Sequence, residues 1–537
     1  MARAVRAGQR LLAAVLAAAL LGAGAAACTT PDTDPRTAVS DAWPADAVVY
    51  HVFVDRFADG DALDTQVGGE PREPGAATTG PDPANVPGDP DDPGYAQALT
   101  APMGGDLAGL HERLDHIVAT GANTLWLSPV TPGPGYHGYH PTDLTGVEPR
   151  FGDLDTLRTL VADAQQRGLR VIHDLVLNHT SDQHPWFVAA RADCAGSPYV
   201  AYYRFRSCPD DYAAFANLPE LPQLDLDHPP LRTVVVDEVL PFWLDDIGVD
   251  GFRLDHVEGP SRDLWRTLRA ELDQRWPGTL LLGEVWASQP IIDTYADVLD
   301  AATAFPLRER FVAVFAGSGD VRALAHPVAA LLDEQGHRRP DTPRPATFLS
   351  SHDQSRFAHE AGGDPRRVTL AYTAVLTLPG LPVIYYGDEV GLRQSDALPA
   401  HADHADRWFR EPMPWDPDDW DHDVLEAVGE LARLRTTSPA LHDDAETRLL
   451  VGDGPTLVVE RLAADGSERL LVALNATDDD TLVTLADLDV ELAAADHVEV
   501  VHGPDHTLDP GREALTLRLG AWEAVVVRLP AATTVGR

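Results

Sequence analysis

Apolar residues fall in short blocks separated by stretches of helical period. AVVYHVFV (47–54) and NTLWLSPV (123–130) are such blocks; between them Leu107, Leu110, Leu114 and Ile117 recur at helical spacing, with Gly121 placed to stop the helix. Leu154, Leu157, Leu160 and Val161 mark a second helix, closed by Gly168, before the block RVIHDLVL (170–177). The sequence then predicts an irregular stretch of some 50 residues and a helix over 231–246. Further strands follow at VDGFRLD (249–255), TLLLGEV (279–285), VLDAATAF (298–305), ATFLSS (346–351) and LPVIYY (381–386). Eight strands alternating with helices are the pattern of an α/β protein with a closed (β/α)8 TIM barrel; an open doubly wound sheet is the alternative. After residue 440 the texture changes to short strands broken by turns (RLLVGDG, TLVVERL, RLLVALN, TLVTL, HVEVVHG, EAVVVRL), which predicts a separate antiparallel β domain. The expected division is a barrel over 44–435 with a small inserted loop domain at 180–230 after strand 3, and a C-terminal β-sandwich domain over 436–537.

The ends of the chain refine this. Arg3, Arg6 and Arg10 precede an apolar run from Leu11 to Leu21 and then Ala25, Ala26, Ala27 and Cys28, the layout of an export signal over 1–27. Cys28 stands where a lipoprotein attachment site would be, simple secretion being the other reading; residues 28–43, rich in Thr, Pro and Asp, form a tether. Only Cys194 and Cys208 remain, and in an oxidising compartment they are expected to pair, the alternative being two buried thiols. The chain has 537 residues, no lysine and a formal net charge of −43, a balance that would repel nucleic acid and anionic lipid and leaves a neutral substrate as the natural partner.

Chemistry is expected at the carboxyl ends of the barrel strands. Asp174, Asn178 and His179 end the third, Arg253, Asp255, His256 and Glu258 the fourth, Glu284 the fifth, and His352 and Asp353 the seventh. The eighth runs into Tyr385, Tyr386, Asp388 and Glu389, expected at the same mouth. Singly, such an aspartate is a helix cap and such a histidine a hydrogen-bonded bystander. Together, three acids at three strand ends with an arginine suit glycoside hydrolysis, which needs an acid for the leaving oxygen and a carboxylate for the oxocarbenium-like centre. Arg253 would keep Asp255 ionised as a nucleophile, and the apolar run LLLGEVW would raise the pKa of Glu284 and keep it protonated for donation. His179 and His352 are expected to hydrogen-bond sugar hydroxyls.

DLVLNH, GFRLD, GEVW and FLSSHD, in that order, resemble the four signature segments of the α-amylase family of glycoside hydrolases. LPQLDLD (221–227), GLPVIYYGDE (380–389), PMGGDLAGL, NTLWLSPV and YHGYHPTDL extend the resemblance over nearly the whole chain. It implies Asp255 as nucleophile, Glu284 as general acid/base and Asp353 as the third acid, which binds and distorts the sugar. It implies Arg253, His179, His352 and Tyr139 around the cleavage subsite, with Tyr139 stacked beneath the ring. It further implies a retaining hydrolase of mainly α-1,4 bonds in starch-like glucans or maltodextrins; a glucanotransferase or trehalose-forming transglycosylase uses the same acids, and a non-catalytic glucan-binding lipoprotein is the reading from another class. Departures from the family pattern are Glu258 and Gly259, where lysine and histidine are frequent, His140 in place of tryptophan, and the PQLD segment.

No organic cofactor is implied. Asn178 matches a common calcium ligand of the family, and Asp59, Asp61 and Asp64 in DGDALDT resemble an early Ca2+ loop completed by Gly104 and Asp106 of the GGD segment; a solvated acidic turn is the plainer reading. The expected partner is an α-glucan or malto-oligosaccharide, with membrane contact only through a lipid at Cys28, and the expected state is a cell-surface or secreted monomer.

Overall fold

The computed structural model of the chain describes residues 43–60, 101–394, 409–453, 455–486, 488, 498–504, 508–510 and 514–530. The export signal, Cys28, the tether as far as Ala42, Asp61 and Asp64 lie outside the described residues.

Eight parallel strands close a barrel. The first three are β1 (Val49–Val52), β2 (Thr124–Leu127) and β3 (Arg170–Leu175). A segment inserted after β3 carries a small hairpin, β4 (Phe205–Ser207) and β5 (Asp211–Tyr212). The barrel resumes with β6 (Gly251–Leu254), β7 (Leu280–Gly283), β8 (Ala301–Thr303), β9 (Arg344–Thr347) and β10 (Leu381–Tyr385). Val49 pairs with Thr124 on one side and with Val383 on the other, which joins the last strand to the first. Alternate side chains divide between two cores. Val49, Trp126, Ile172, Leu280, Leu282 and Val383 fill the barrel interior over Trp43, whereas Tyr50, Val171, Phe252 and Leu254 face the surrounding helices.

Helix starts follow the capping chemistry of the sequence. The carboxylate of Asp153 accepts the Thr156 N–H at 2.8 Å, Ser261 Oγ that of Leu264 at 3.1 Å, and Asp421 that of Val424 at 3.1 Å. The expected helix over 231–246 begins at Pro229 and continues through two π-helical stretches around Pro241, which lacks an N–H to donate; Gly248, at φ +85°, ends it. The strand expected at 346–351 pairs two residues earlier. Arg344 belongs to it, buried beneath the barrel against Asp443 at 2.9 Å, a charge that disguises the strand's start. Phe348–Ser351 therefore overshoot the ladder and carry His352 and Asp353 onto the mouth.

The insert is held over that mouth by bridges from His179 to Gln223 and from Tyr203 to Leu224, and by packed rings of Phe187, Tyr203, Phe205 and Tyr212. Cys194 and Cys208 form its disulfide. Replacing both by serine is expected to cost up to about 3 kcal/mol, as a loop of this length allows. The loss should be local, so faster proteolysis between residues 190 and 215 is the measurement.

Beyond the barrel, a five-stranded antiparallel sheet faces a three-stranded one around Val458, Leu471, Leu485, Leu515, Leu517 and Val527. Two of its strands, Leu508–Pro510 and Ala514–Leu519, were not among those expected. Two fully buried arginines, one on a strand of the sheets and one on the last barrel helix, lie at the junction of sheets and barrel. Arg461 donates to the carbonyls of Thr377, Ala440, Leu441 and His442, and Arg435 to those of Leu378 and Gly380. Burial pushes their guanidinium pKa values down, to about 9 and about 10. Among the described residues no helix is long and apolar enough to cross a membrane.

Candidate active site

The site is organised around Arg253. On β6, Phe252 and Leu254 face the helices, so Arg253 points into the barrel, where it is 1% exposed. A buried guanidinium is costly unless answered by charge. Its Nη1 lies 2.8 Å from Asp174 Oδ1 and 2.9 Å from Asp255 Oδ1, and its Nη2 lies 3.0 Å from Glu284 Oε2. Burial alone would disfavour the cation; Asp174, Glu284 and Asp255 outweigh it and hold Arg253 ionised. Asp255 and Glu284 thus share one guanidinium, which confines their separation to its span. Asp174 is a positioning group: its other oxygen accepts from Tyr139 Oη at 2.8 Å and Trp126 Nε1 at 3.2 Å.

The three acids differ in environment. Burial pushes Glu284 up to about 8; Arg253 opposes the shift, and Asp255 and Asp353 add to it. The backbone N–H of His256 donates to Glu284 Oε2 at 2.9 Å. Asp353 is also desolvated, yet His352 Nε2 at 2.9 Å and Arg410 Nη2 at 2.9 Å hold it well below the usual carboxylate range. One acid is therefore kept protonated near neutrality while another stays charged, the division of labour an acid-catalysed displacement requires.

Above these groups opens a cleft of about 500 Å3, within the usual range for small-molecule sites. Tyr139, His140, His179, Asp255, Glu284 and Asp353 are among the residues that line it. Tyr139 stacks on His352 at 5.1 Å between ring centres, 7° from parallel. The preceding Gly138 has φ +76°, and a Cβ there would sit 2.0 Å from the Pro129 carbonyl oxygen, so glycine is required to bring Tyr139 in. His179 faces the cleft, but both its nitrogens are occupied within the protein: Nε2 lies 3.0 Å from the Tyr139 carbonyl oxygen and Nδ1 3.1 Å from Asn178 Nδ2. Its expected bond to a sugar hydroxyl has no free nitrogen, and its contribution here is the ring that stacks on Phe215 at 4.9 Å. Gly259 lies where any Cβ would stand 2.0 Å from Asn178 Oδ1, which accounts for glycine at this position.

Several groups escaped the sequence reading. Arg410 reaches the site from the segment before PMPW and also donates to the His352 carbonyl at 2.9 Å; no periodicity marks it. His256 adopts φ +42°, in the left-handed region, and it is this turn that aims its N–H at Glu284. Phe215, from the insert, packs on both His179 and His256. Conversely, the residues after β10 do not join the mouth. Glu389 is buried against Tyr50 Oη (2.6 Å) and His116 Nε2 (2.8 Å), and Asp388 against Arg356 and Tyr372, so they tie the strand to its helices. Trp415 packs edge-on against Phe57 and beneath Arg113.

Among the described residues no group of three or more His, Cys, Asp or Glu side chains gathers as a metal cluster, around Asn178 or elsewhere. Asp106 nevertheless has the chemistry of a cation ligand. Its Oδ1 caps a helix, accepting from Gly109 N at 2.7 Å and Gly60 N at 3.1 Å, while its Oδ2 is buried with no hydrogen-bond partner among the described residues. Burial, with Asp59 nearby, raises this carboxyl to about 7. Gly104, at φ +94°, lies two residues before it.

The family model "Alpha amylase, catalytic domain" matches residues 51–422. A cyclomaltodextrinase of Geobacillus thermopakistaniensis (strain MAS1) is 29% identical over 81% of this chain and 70% of its own length. Neopullulanase 2 of Thermoactinomyces vulgaris is 30% identical over 73% of this chain and 63% of its own. Among solved structures, the ligand-free cyclic α-maltosyl-(1→6)-maltose hydrolase of Arthrobacter globiformis superposes with a TM-score of 0.71 at 27% identity, covering 90% of this chain and 99% of its own.

Proposed function

We propose, from the premise that this chain belongs to the α-amylase family and is a glycoside hydrolase, that it cleaves mainly α-1,4-glucosidic bonds in maltodextrins and cyclodextrins with retention of configuration. The observation that carries this reading is one buried arginine holding two carboxyl groups at the floor of a sugar-sized cleft, one of them kept protonated. Glu284 gives its proton to the glycosidic oxygen as the C1–O bond breaks, and a carboxylate oxygen of Asp255 bonds to C1. Glu284, now ionised, takes a proton from water as the water oxygen attacks C1 and the Asp255 ester bond opens. Asp353, charged and fixed by His352 and Arg410, binds sugar hydroxyls and favours the flattened ring.

Timed product profiles on cyclodextrin, maltotriose, soluble starch, pullulan and isomaltose, with the first-formed anomer read by NMR, test the proposal. Maltose and glucose released as the α-anomer are expected. Initial β-anomer would remove the retaining mechanism, and longer oligomers or trehalose would replace hydrolysis by transfer.

The protonation of Glu284 sets the sign of the pH response. Donation needs the acid form, so kcat/KM should fall about tenfold per unit once pH exceeds about 8. A plateau extending well above that value would assign the acid elsewhere.

Calcium belongs to the same reading. A Ca2+ ion held by Asp106 Oδ2 with Asp59, Asp61, Asp64 and the Gly104 carbonyl would answer the orphaned oxygen and supply structural cross-linking. Calcium at a hundred times its Kd should stabilise by about 2.7 kcal/mol, so the melting temperature should drop on adding EDTA and recover with calcium. An unchanged melt removes the ion. Export and a lipid at Cys28 complete the proposal, tested by incorporation of labelled fatty acid.

A further inference from the structure

The backbone of Glu284 is clamped from both sides by the chain leaving β6. Its N–H donates to the Leu254 carbonyl at 2.9 Å, and its carbonyl accepts from the Val257 N–H at 3.0 Å. Between those two anchor points lies the turn at His256, whose φ of +42° is a conformation most side chains avoid. The turn lets the His256 N–H reach Glu284 Oε2 at 2.9 Å, and Arg253 Nη2 lies 3.0 Å from the same oxygen. Oε1 accepts from none of the described residues. The two carboxyl oxygens are therefore unequal: a proton on Oε2 would be pressed against two donors, and a proton on Oε1 meets none.

A left-handed residue persists where its surroundings hold it. Here the support comes from the insert. The Phe215 ring sits between two imidazoles, 4.8 Å from the His256 ring centre at 65° and 4.9 Å from that of His179 at 11°. His179 is fixed in turn by the Tyr139 carbonyl and Asn178. Phe215 is delivered by a tight turn of its own. Its N–H donates to the Leu221 carbonyl at 2.9 Å, its carbonyl accepts from the Leu218 N–H at 2.9 Å, and Ala216 and Asn217 are left-handed at φ +52° and +61°.

We propose that His256 is a positioning residue: its turn, wedged in place by Phe215 of the insert, directs the backbone N–H onto Oε2 of Glu284 and so leaves the transferable proton on Oε1. The imidazole takes no part in the chemistry; it is the surface on which the wedge bears. This rests on the hydrolase reading above and adds to it which oxygen works. The proton passes from Oε1 to the glycosidic oxygen as the C1–O bond breaks, and Oε1 recovers one from the water that attacks C1.

An ester in place of the peptide between Asp255 and His256, made by incorporating an α-hydroxy acid at position 256, removes this one donor. The readout is the preference in kcat/KM for para-nitrophenyl over phenyl α-maltoside. The two leaving groups are alike in shape, so their contacts with Phe215 nearly cancel, but the first departs with little help from a proton. The ester should raise the preference about tenfold over wild type, the worth of a hydrogen bond to a charged group. The N–H bond favours the ionised carboxyl, so without it the high-pH limb should move up. Arg253 and Asp255 from β6 and Asp353 from beyond β9 face the same carboxyl and are untouched by the ester. Phe215→Ala should raise the preference several-fold. Added to His256→Gly, where positive φ needs no wedge, it should move the preference no further. A preference or a limb that does not move in the ester variant overturns the placement. Phe215→Ala without effect in the wild-type protein, or with equal effect in both backgrounds, overturns the wedge. Wild-type turnover of para-nitrophenyl α-maltoside reports separately on the reading beneath: none at all removes the hydrolase, whereas turnover with an unmoved preference removes only the placement.

Discussion

Glu284→Gln is expected to lower kcat on maltotriose by about 10²–10⁴-fold, the usual worth of a positioned general acid. The substitution keeps the shape and can keep the hydrogen bond from the His256 N–H, so the fold should survive and the loss should be chemical. Its signature is selectivity by leaving group. With α-maltosyl fluoride, which needs no protonation to depart, formation of the glycosyl–enzyme should remain fast while its hydrolysis slows, so the intermediate should accumulate and be trapped on Asp255 by mass spectrometry. The high-pH limb that Glu284 imposes should disappear from whatever activity remains. Equal losses on both substrates would argue that the residue merely holds the floor of the cleft.

Arg253→Met should be the most disruptive single change to the fold near the site. It leaves Asp174, Asp255 and Glu284 crowded without their shared counter-ion. Removing one partner of a buried ion pair costs about 3–5 kcal/mol, because the stranded charge has nowhere to go. A drop of several degrees in the thermal midpoint is expected, together with loss of detectable turnover. The sign with pH follows from the chemistry. Without the guanidinium the carboxyl groups take up protons more readily, and the neutral forms tolerate burial, so the deficit relative to wild type should shrink as pH falls. Arg253→Lys should recover part of the stability and little of the activity, since an ammonium cannot bridge two carboxylates in one plane. A melt unchanged in Arg253→Met would mean that the three acids do not depend on it.

The barrel was legible because its strands are short, mostly apolar blocks buried on both faces, and because charges gathered at the ends of such blocks have no packing role. That reasoning located Asp255, Glu284 and Asp353 on one cleft wall. It failed where charge serves architecture. Arg344 lies inside β9, and its charge concealed two residues of strand. Asp388 and Glu389 look like Asp255 in the sequence, as acids just past a strand, yet they are buried against tyrosines and an arginine. Nothing local separates the two cases; the difference is which element packs above. Arg410 and Phe215 arrive from irregular segments, where no period predicts the direction of a side chain. The strand Ala514–Leu519 alternates as ALTLRL, a two-residue period that marks a half-buried strand.

The pair Arg435 and Arg461 has a bearing on how this protein can be cut. Arg461 belongs to the sandwich, but the oxygens it satisfies include that of Thr377, at the end of a barrel helix just before β10. Trimming the chain back to a minimal catalytic unit would strip hydrogen-bond donors from the underside of the barrel, opposite the cleft, and a transplanted sandwich lacking an arginine at this position would dock on unmet carbonyls. The C-terminal module is thus a keystone rather than a removable appendage, and chimeras should be joined beyond residue 462 if they are to fold.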